Sequence, residues 1–111
     1  MSKVYEIKIN KHKTIIWKLN GELHSLKDLP ALIYADGSKS WFQHGEIHRD
    51  GDNPAMIWAD GTKFWRQHGK RHRLTGPAVE WENGKVEYWI EGDFLSKKQF
   101  EERIRCLKST K

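Results

Sequence analysis

The stretch WFQHGEIHRDGDNPAMIWADGTKF, residues 41–64, decides the fold, because the chain begins it again at Trp65. Working outward, Trp17, Trp41 and Trp65 stand 24 residues apart, and Tyr88 follows after 23. Gly21, Gly45, Gly69 and Gly92 each trail one of these aromatics by four residues. His24, His48 and His72 come three residues after the first three glycines, followed by Pro30-Ala31, Pro54-Ala55 and Pro77-Ala78. Tyr34, Trp58 and Trp81 then precede Gly37, Gly61 and Gly84 by three. Marks that stay in register over this length are the signature of a repeat architecture.

Each unit reads as two hairpins in series. Pro lacks an N–H and suits the first position of a strand, so each Pro-Ala opens one. Asp36-Gly37, Asp60-Gly61 and Asn83-Gly84 read as two-residue turns with both central residues at positive φ. Asn20-Gly21, His44-Gly45, His68-Gly69 and Glu91-Gly92 form a second set, and His is among the residues that tolerate that conformation. A two-residue turn at Asp60-Gly61 opposes Ala59 to Thr62, Trp58 to Lys63, Ile57 to Phe64 and Met56 to Trp65. Side chains alternate between faces, so Met56, Trp58, Lys63 and Trp65 share one. Leu32, Tyr34, Lys39 and Trp41 are their equivalents in the first unit, and Val79, Trp81, Val86 and Tyr88 in the third. This aromatic face is the expected core. The other face holds Ile57, Phe64 and Arg66 in the second unit, and in the third Glu80, Glu82, Lys85, Glu87 and Trp89, which reads as solvated.

The ends read as caps, which repeat sheets need. Residues 3–19 alternate around Asn10-Lys11 as a leading hairpin. Residues 96–108 read as a helix, with Ser96 and Gln99 as a capping box and Phe100, Ile104 and Leu107 as one apolar stripe. The expectation is a single mainly β domain over residues 1–111, an antiparallel meander of hairpins with a repeat of about 24 residues. Its parts are a leading hairpin region at 3–14, a repeat sheet at 15–94 and a C-terminal capping helix at 95–108.

Composition narrows the function classes. Leu, Ile, Val and Phe supply only 24 of 111 residues, so the 6 Trp and 3 Tyr must provide buried area. No apolar run approaches the roughly 20 residues of a membrane-spanning helix. One cysteine, Cys106, cannot close a disulfide within the chain. The N-terminus lacks the apolar stretch of a signal peptide, so a cytoplasmic protein is expected. Net charge is +5, and the densest basic cluster is Lys63, Arg66, Lys70, Arg71 and Arg73. Such a balance suits anionic partners and says nothing of fold.

The pattern W-x3-G-x2-H-R-x-x-G-P-A-x3-(W/Y)-x-(D/N)-G resembles the MORN-like β-hairpin repeats of small bacteriophage proteins. The tail Glu91-Gly92-Asp93-Phe94-Leu95-Ser96-Lys97-Lys98-Gln99-Phe100 is similar to their usual ending. The resemblance covers roughly residues 15–105. Ser25 departs from it where Arg is usual, as does Leu29 before Pro30. It implies a β-hairpin scaffold for partner binding, a phage origin and no catalytic residues.

The chemistry-bearing residues agree with a non-enzymatic reading. The three in-register histidines lie along a sheet, opposite Trp17, Trp41 and Trp65, and read as cross-strand packing partners. A zinc site would gather them around one point instead. Cys106, on the basic helix, reads as a packing or surface thiol, every glycine is used by a turn or a pre-proline position, and no cofactor is expected. The His68-Gly69 turn sets Arg66 opposite Arg71, a destabilising pair of like charges with nothing nearby in sequence to neutralise it. Arg49 and Arg73 either bond loop carbonyls or face a ligand. Phe42, Phe64 and Trp89 form apolar islands on the second face, and Phe, Trp and Arg are typical interface anchors. Phe42, Arg49, Phe64, Arg66, Lys70, Arg71, Arg73 and Trp89 are therefore the candidate partner-binding residues. The expected partner is a host protein with an acidic or nucleic-acid-binding surface, which the protein inhibits or redirects, for example a defence nuclease. Direct nucleic-acid binding is the alternative, and an acidic-lipid or scaffold role the weaker one. Exposed edge strands also allow a second copy to pair.

Overall fold

The computed structural model describes residues 4–109; Lys3, where the leading hairpin was expected to begin, lies outside them. Fourteen strands and one helix follow one another among these residues. They are β1 (Tyr5–Ile9), β2 (Ile15–Leu19), β3 (Glu22–Leu23), β4 (Leu32–Ile33), β5 (Lys39–Ser40), β6 (Phe42–Gln43) and β7 (Glu46–Ile47). Then come β8 (Met56–Ile57), β9 (Lys63–Phe64), β10 (Arg66–Gln67), β11 (Lys70–Arg71), β12 (Val79–Glu80), β13 (Val86–Ile90), β14 (Asp93–Leu95) and α1 (Lys97–Ser109). A ten-stranded sheet runs β1-β2-β4-β5-β8-β9-β12-β13-β14, with β3 beside β2. The β6-β7 and β10-β11 ribbons form two further sheets. Every pairing is antiparallel. The chain is therefore the mainly β meander with a C-terminal helix that the periodicity calls for. It is flat, 45 × 39 × 18 Å, with a radius of gyration of 15.9 Å. A compact domain of this length has a radius near 13 Å.

The second set of turns follows expectation. Asn20, His44, His68 and Glu91 have φ of 47–50°, and the glycine after each also lies at positive φ. The Asp-Gly set differs. Trp58 accepts from Gly61 N–H through its carbonyl and donates its N–H to the Thr62 carbonyl. Only Gly61 has positive φ. This is a type I turn followed by a left-handed glycine, a three-residue loop rather than a two-residue one. Residues 34–38 and 81–85 repeat the same bonds. In each loop the Asp or Asn side chain accepts the N–H two residues on, at Ser38, Thr62 and Lys85. Those local bonds favour the type I geometry over the expected one.

The longer loop slips the register by one residue, and a one-residue slip moves side chains to the other face. Met56 faces Phe64 and Ile57 faces Lys63. The row across the sheet is thus Ile16, Leu32, Ser40, Met56, Phe64, Val79 and Glu87. The neighbouring row holds Ile33, Lys39, Ile57, Lys63, Glu80 and Val86. Lys39, Lys63 and Val86 are exposed and leave the expected core face. Phe64, at 3% exposure, joins it. The leading turn is also longer than Asn10-Lys11. Ile9 pairs with Ile15, Lys13 takes positive φ, and the Asn10 side chain accepts the N–H groups of His12 and Thr14.

At the other end, Leu95 closes β14 and Ser96 caps α1. Ser96 and Gln99 make the reciprocal capping-box bonds. Phe100 packs with Ile90, Leu95, Tyr88 and Ile104, its ring centroid 4.8 Å from that of Tyr88. The helix therefore covers the Tyr88–Ile90 side of the last hairpin. Trp89 points to the opposite side and meets Phe94, centroids 5.1 Å apart. Among the described residues no helix is long and apolar enough to cross a membrane.

Candidate partner-binding site

Two of the expected arginines are held inside the chain. Arg73 grips the Asp52 carboxylate with two bonds of 2.9 and 3.2 Å and donates to the Pro77 carbonyl at 3.1 Å. Its guanidinium carbon lies 3.8 Å from the centre of the Trp65 ring, and Glu80 stands 3.4 Å away. Arg49 repeats the arrangement one unit earlier, on Asp28, the Pro54 carbonyl and Trp41 at 3.9 Å. Both side chains are only 16% exposed. The His-Arg loops are thus latches in which carboxylate, loop carbonyl and indole face hold one guanidinium. A Cβ on Gly76 would come within 3.3 Å of the Arg73 guanidinium, in close contact with the latch.

The histidines bind neighbouring turns together. His24, His48 and His72 accept through Nδ1 the backbone N–H of His44, His68 and Glu91. Buried His48 also bonds Asp50 at 2.8 Å, and this pulls the Asp50 carboxyl below its ordinary value. The histidines stand opposite Trp17, Trp41 and Trp65 as expected, each donating its backbone N–H to that Trp carbonyl, and the ring nitrogen of each also ties a positive-φ turn to the unit before it. Among the described residues no three metal-ligating side chains are gathered at one point.

The remaining basic groups converge at the β10-β11 ribbon. Arg66 faces Arg71 and Gln67 faces Lys70, as the turn requires. Arg71 lies 4.9 Å from the Trp89 ring centre and 5.5 Å from that of Phe64, with Glu87 at 3.8 Å. Nothing nearby in sequence neutralises this pair; Glu87, which β13 brings up from the following unit, lies beside Arg71. Nor is Glu87 solvated: it is part-buried and accepts the indole N–H groups of Trp81 and Trp89, each at 2.8 Å. It makes an ion pair with Arg71 and none with Arg66. Arg66 donates to the Gly69 carbonyl, makes no ion pair with a described residue, and has a buried Nε without a partner. Burial, and then the Arg71 charge, pushes the Arg66 guanidinium below its ordinary value.

Of the expected site residues, the structure brings together Arg66, Arg71 and Trp89, with exposed Lys70 at one end and Phe64 buried beneath. Phe42 is buried on β6, paired with Ile47 in the neighbouring ribbon. Arg49 and Arg73 are occupied as latches. Phe94, 63% exposed and beside Trp89, joins this group, although the sequence did not single it out as a contact residue. No protein-family model matches the chain, and no curated protein or solved structure shows significant similarity to it.

Proposed function

We propose that the chain is a non-enzymatic binding module that docks an acidic surface of a partner protein on the β10-β11 ribbon and the Trp89–Phe94 pair. The observation that carries this reading is Arg66. A part-buried guanidinium facing a second arginine, with no carboxylate of its own, is costly alone and gains most from an anion arriving from outside. Trp89 and Phe94 supply flanking apolar contact. Arg66, Lys70, Arg71 and Trp89 form the proposed contact set, with Phe94 added. Taken with the resemblance to phage repeat proteins, the partner would be a host cytoplasmic protein, such as a defence nuclease, inhibited or redirected by occupation of an acidic or nucleic-acid-binding site.

The test is capture from bacterial lysate after nuclease treatment, comparing the wild type with the charge-reversed double variant Arg66→Glu, Arg71→Glu. A host protein retained by the wild type and lost from the variant supports the module. Equal retention by both removes the ribbon as the contact surface. Bound material that disappears with nuclease, and whose affinity falls steeply with salt, points to nucleic acid instead.

A further inference from the structure

An open groove of about 530 Å³ lies between the loops at residues 34–38 and 58–62, sharing no residue with the basic ribbon. Its walls are Tyr34 and Trp58, Met56 and Ser40 line its floor, and Asp36 and Asp60 stand at its rim. The comparison with the next unit explains it. Ala31, Ala55 and Ala78 donate their N–H groups to the carbonyls of Ser40, Phe64 and Glu87, so these three residues hold equivalent places. Phe64 fills the space between Trp58 and Trp81, with centroids 4.9 and 5.6 Å away. Ser40 cannot fill the corresponding space between Tyr34 and Trp58. Both aromatics stay well exposed, at 42% and 39%.

Two polar groups of the groove bond no described residue. Ser40 is 4% exposed, lines the groove, and its hydroxyl bonds no described residue. The Trp58 indole N–H likewise has no partner among the described residues, nor does that of Trp17 outside the groove, whereas the indoles of Trp41, Trp65, Trp81 and Trp89 each have one. The chain's two latches show what this combination of aromatic face and carboxylate accepts, namely a guanidinium. Around the groove the aromatic faces and two carboxylates are present, and no arginine of the described residues reaches them. We infer that the groove binds an arginine side chain presented by a partner peptide, between Tyr34 and Trp58 and facing Asp36 and Asp60. Cation–π attraction and the carboxylates favour the charge, and the Met56 floor takes the methylene stem.

The experiment titrates N-acetyl-arginine amide into the full isotope-labelled chain and follows the Trp58 indole and Ser40 amide signals. Saturable shifts confined to the groove are expected below about 50 mM, since one side chain binds in the millimolar range. The double variant Asp36→Asn, Asp60→Asn keeps the loop bonds, because Asn83 makes the same bond in the third unit. It should bind about fivefold more weakly. N-acetyl-citrulline amide, which lacks the charge, should be weakened similarly. Ser40→Phe should abolish the shifts by filling the space as Phe64 does. No saturable shift, equal binding of citrulline, or unchanged affinity in the Asn double variant would each overturn the assignment, and the last two do not depend on Ser40→Phe folding.

Discussion

Replacing Arg73 by Met keeps the side-chain stem and removes the guanidinium, which isolates what the latch contributes. The bond to the Pro77 carbonyl is part-buried and contributes about 1 kcal/mol. The two-bond grip on Asp52 has one half-exposed partner, 49% for that carboxylate, so solvent screening holds it to about 0.5–1 kcal/mol. The guanidinium 3.8 Å above Trp65 adds about 1 kcal/mol. The sum is about 3 kcal/mol, a large share of the stability of a domain this size. In urea, with a slope near 2 kcal/mol per molar, the unfolding midpoint should fall by about 1.5 M. Arg73→Lys should lie between the two, because an ammonium cannot make the planar two-bond contact. A double-mutant cycle with Asp52→Asn should return a coupling of about 0.5–1 kcal/mol. A midpoint for Arg73→Met within about 0.25 M of the wild type would refute the latch and return Arg73 to the ligand-facing candidates.

Two further outcomes follow from the same contacts. Phe64→Ala should cost about 3–5 kcal/mol, because a ring buried between Trp58 and Trp81 leaves a gap the flat sheet cannot close, and urea unfolding measures it. Acid should also destabilise the chain: the His48 bond lowers the Asp50 carboxyl, and the Arg73 bond, with that of Thr75, lowers Asp52. A carboxyl with a depressed folded value contributes stability that is complete above its unfolded value, about 3.9, and is lost as pH falls through the folded one. Urea midpoints should therefore drop between about pH 4.5 and 2, and less steeply in Asp52→Asn; parallel curves for variant and wild type would contradict the assignment.

The register corrections within the repeat sheet share one cause. Gly61 and Asp60 announce a turn, but the turn type depends on whether the Asp60 side chain captures the Thr62 N–H, and that choice shifts every facing pair by one. Hence Phe64, read as an open contact, is core, while Lys63 turns outward. The turn at His68-Gly69 needed no such choice, because adjacent positive-φ residues force a two-residue loop, and the Arg66–Arg71 pairing follows.

What the sequence determined by itself is whatever rests on local conformation and period: the hairpin units, their spacing, the capping box at Ser96, and the facing arginines. Left-handed glycines, prolines and alternation act within a few residues, so they are legible in a single chain. Tertiary structure alone decided the contacts that cross units. Asp28 and Asp52 reach Arg49 and Arg73 from 21 residues away, and Glu87 arrives beside Arg71 only because β13 pairs with β12. The groove at Ser40 belongs to both kinds. The missing ring is written in the sequence, as Ser40 at the place Phe64 holds in the next unit, but that its absence opens a cleft between Tyr34 and Trp58 follows only from the packing of neighbouring loops.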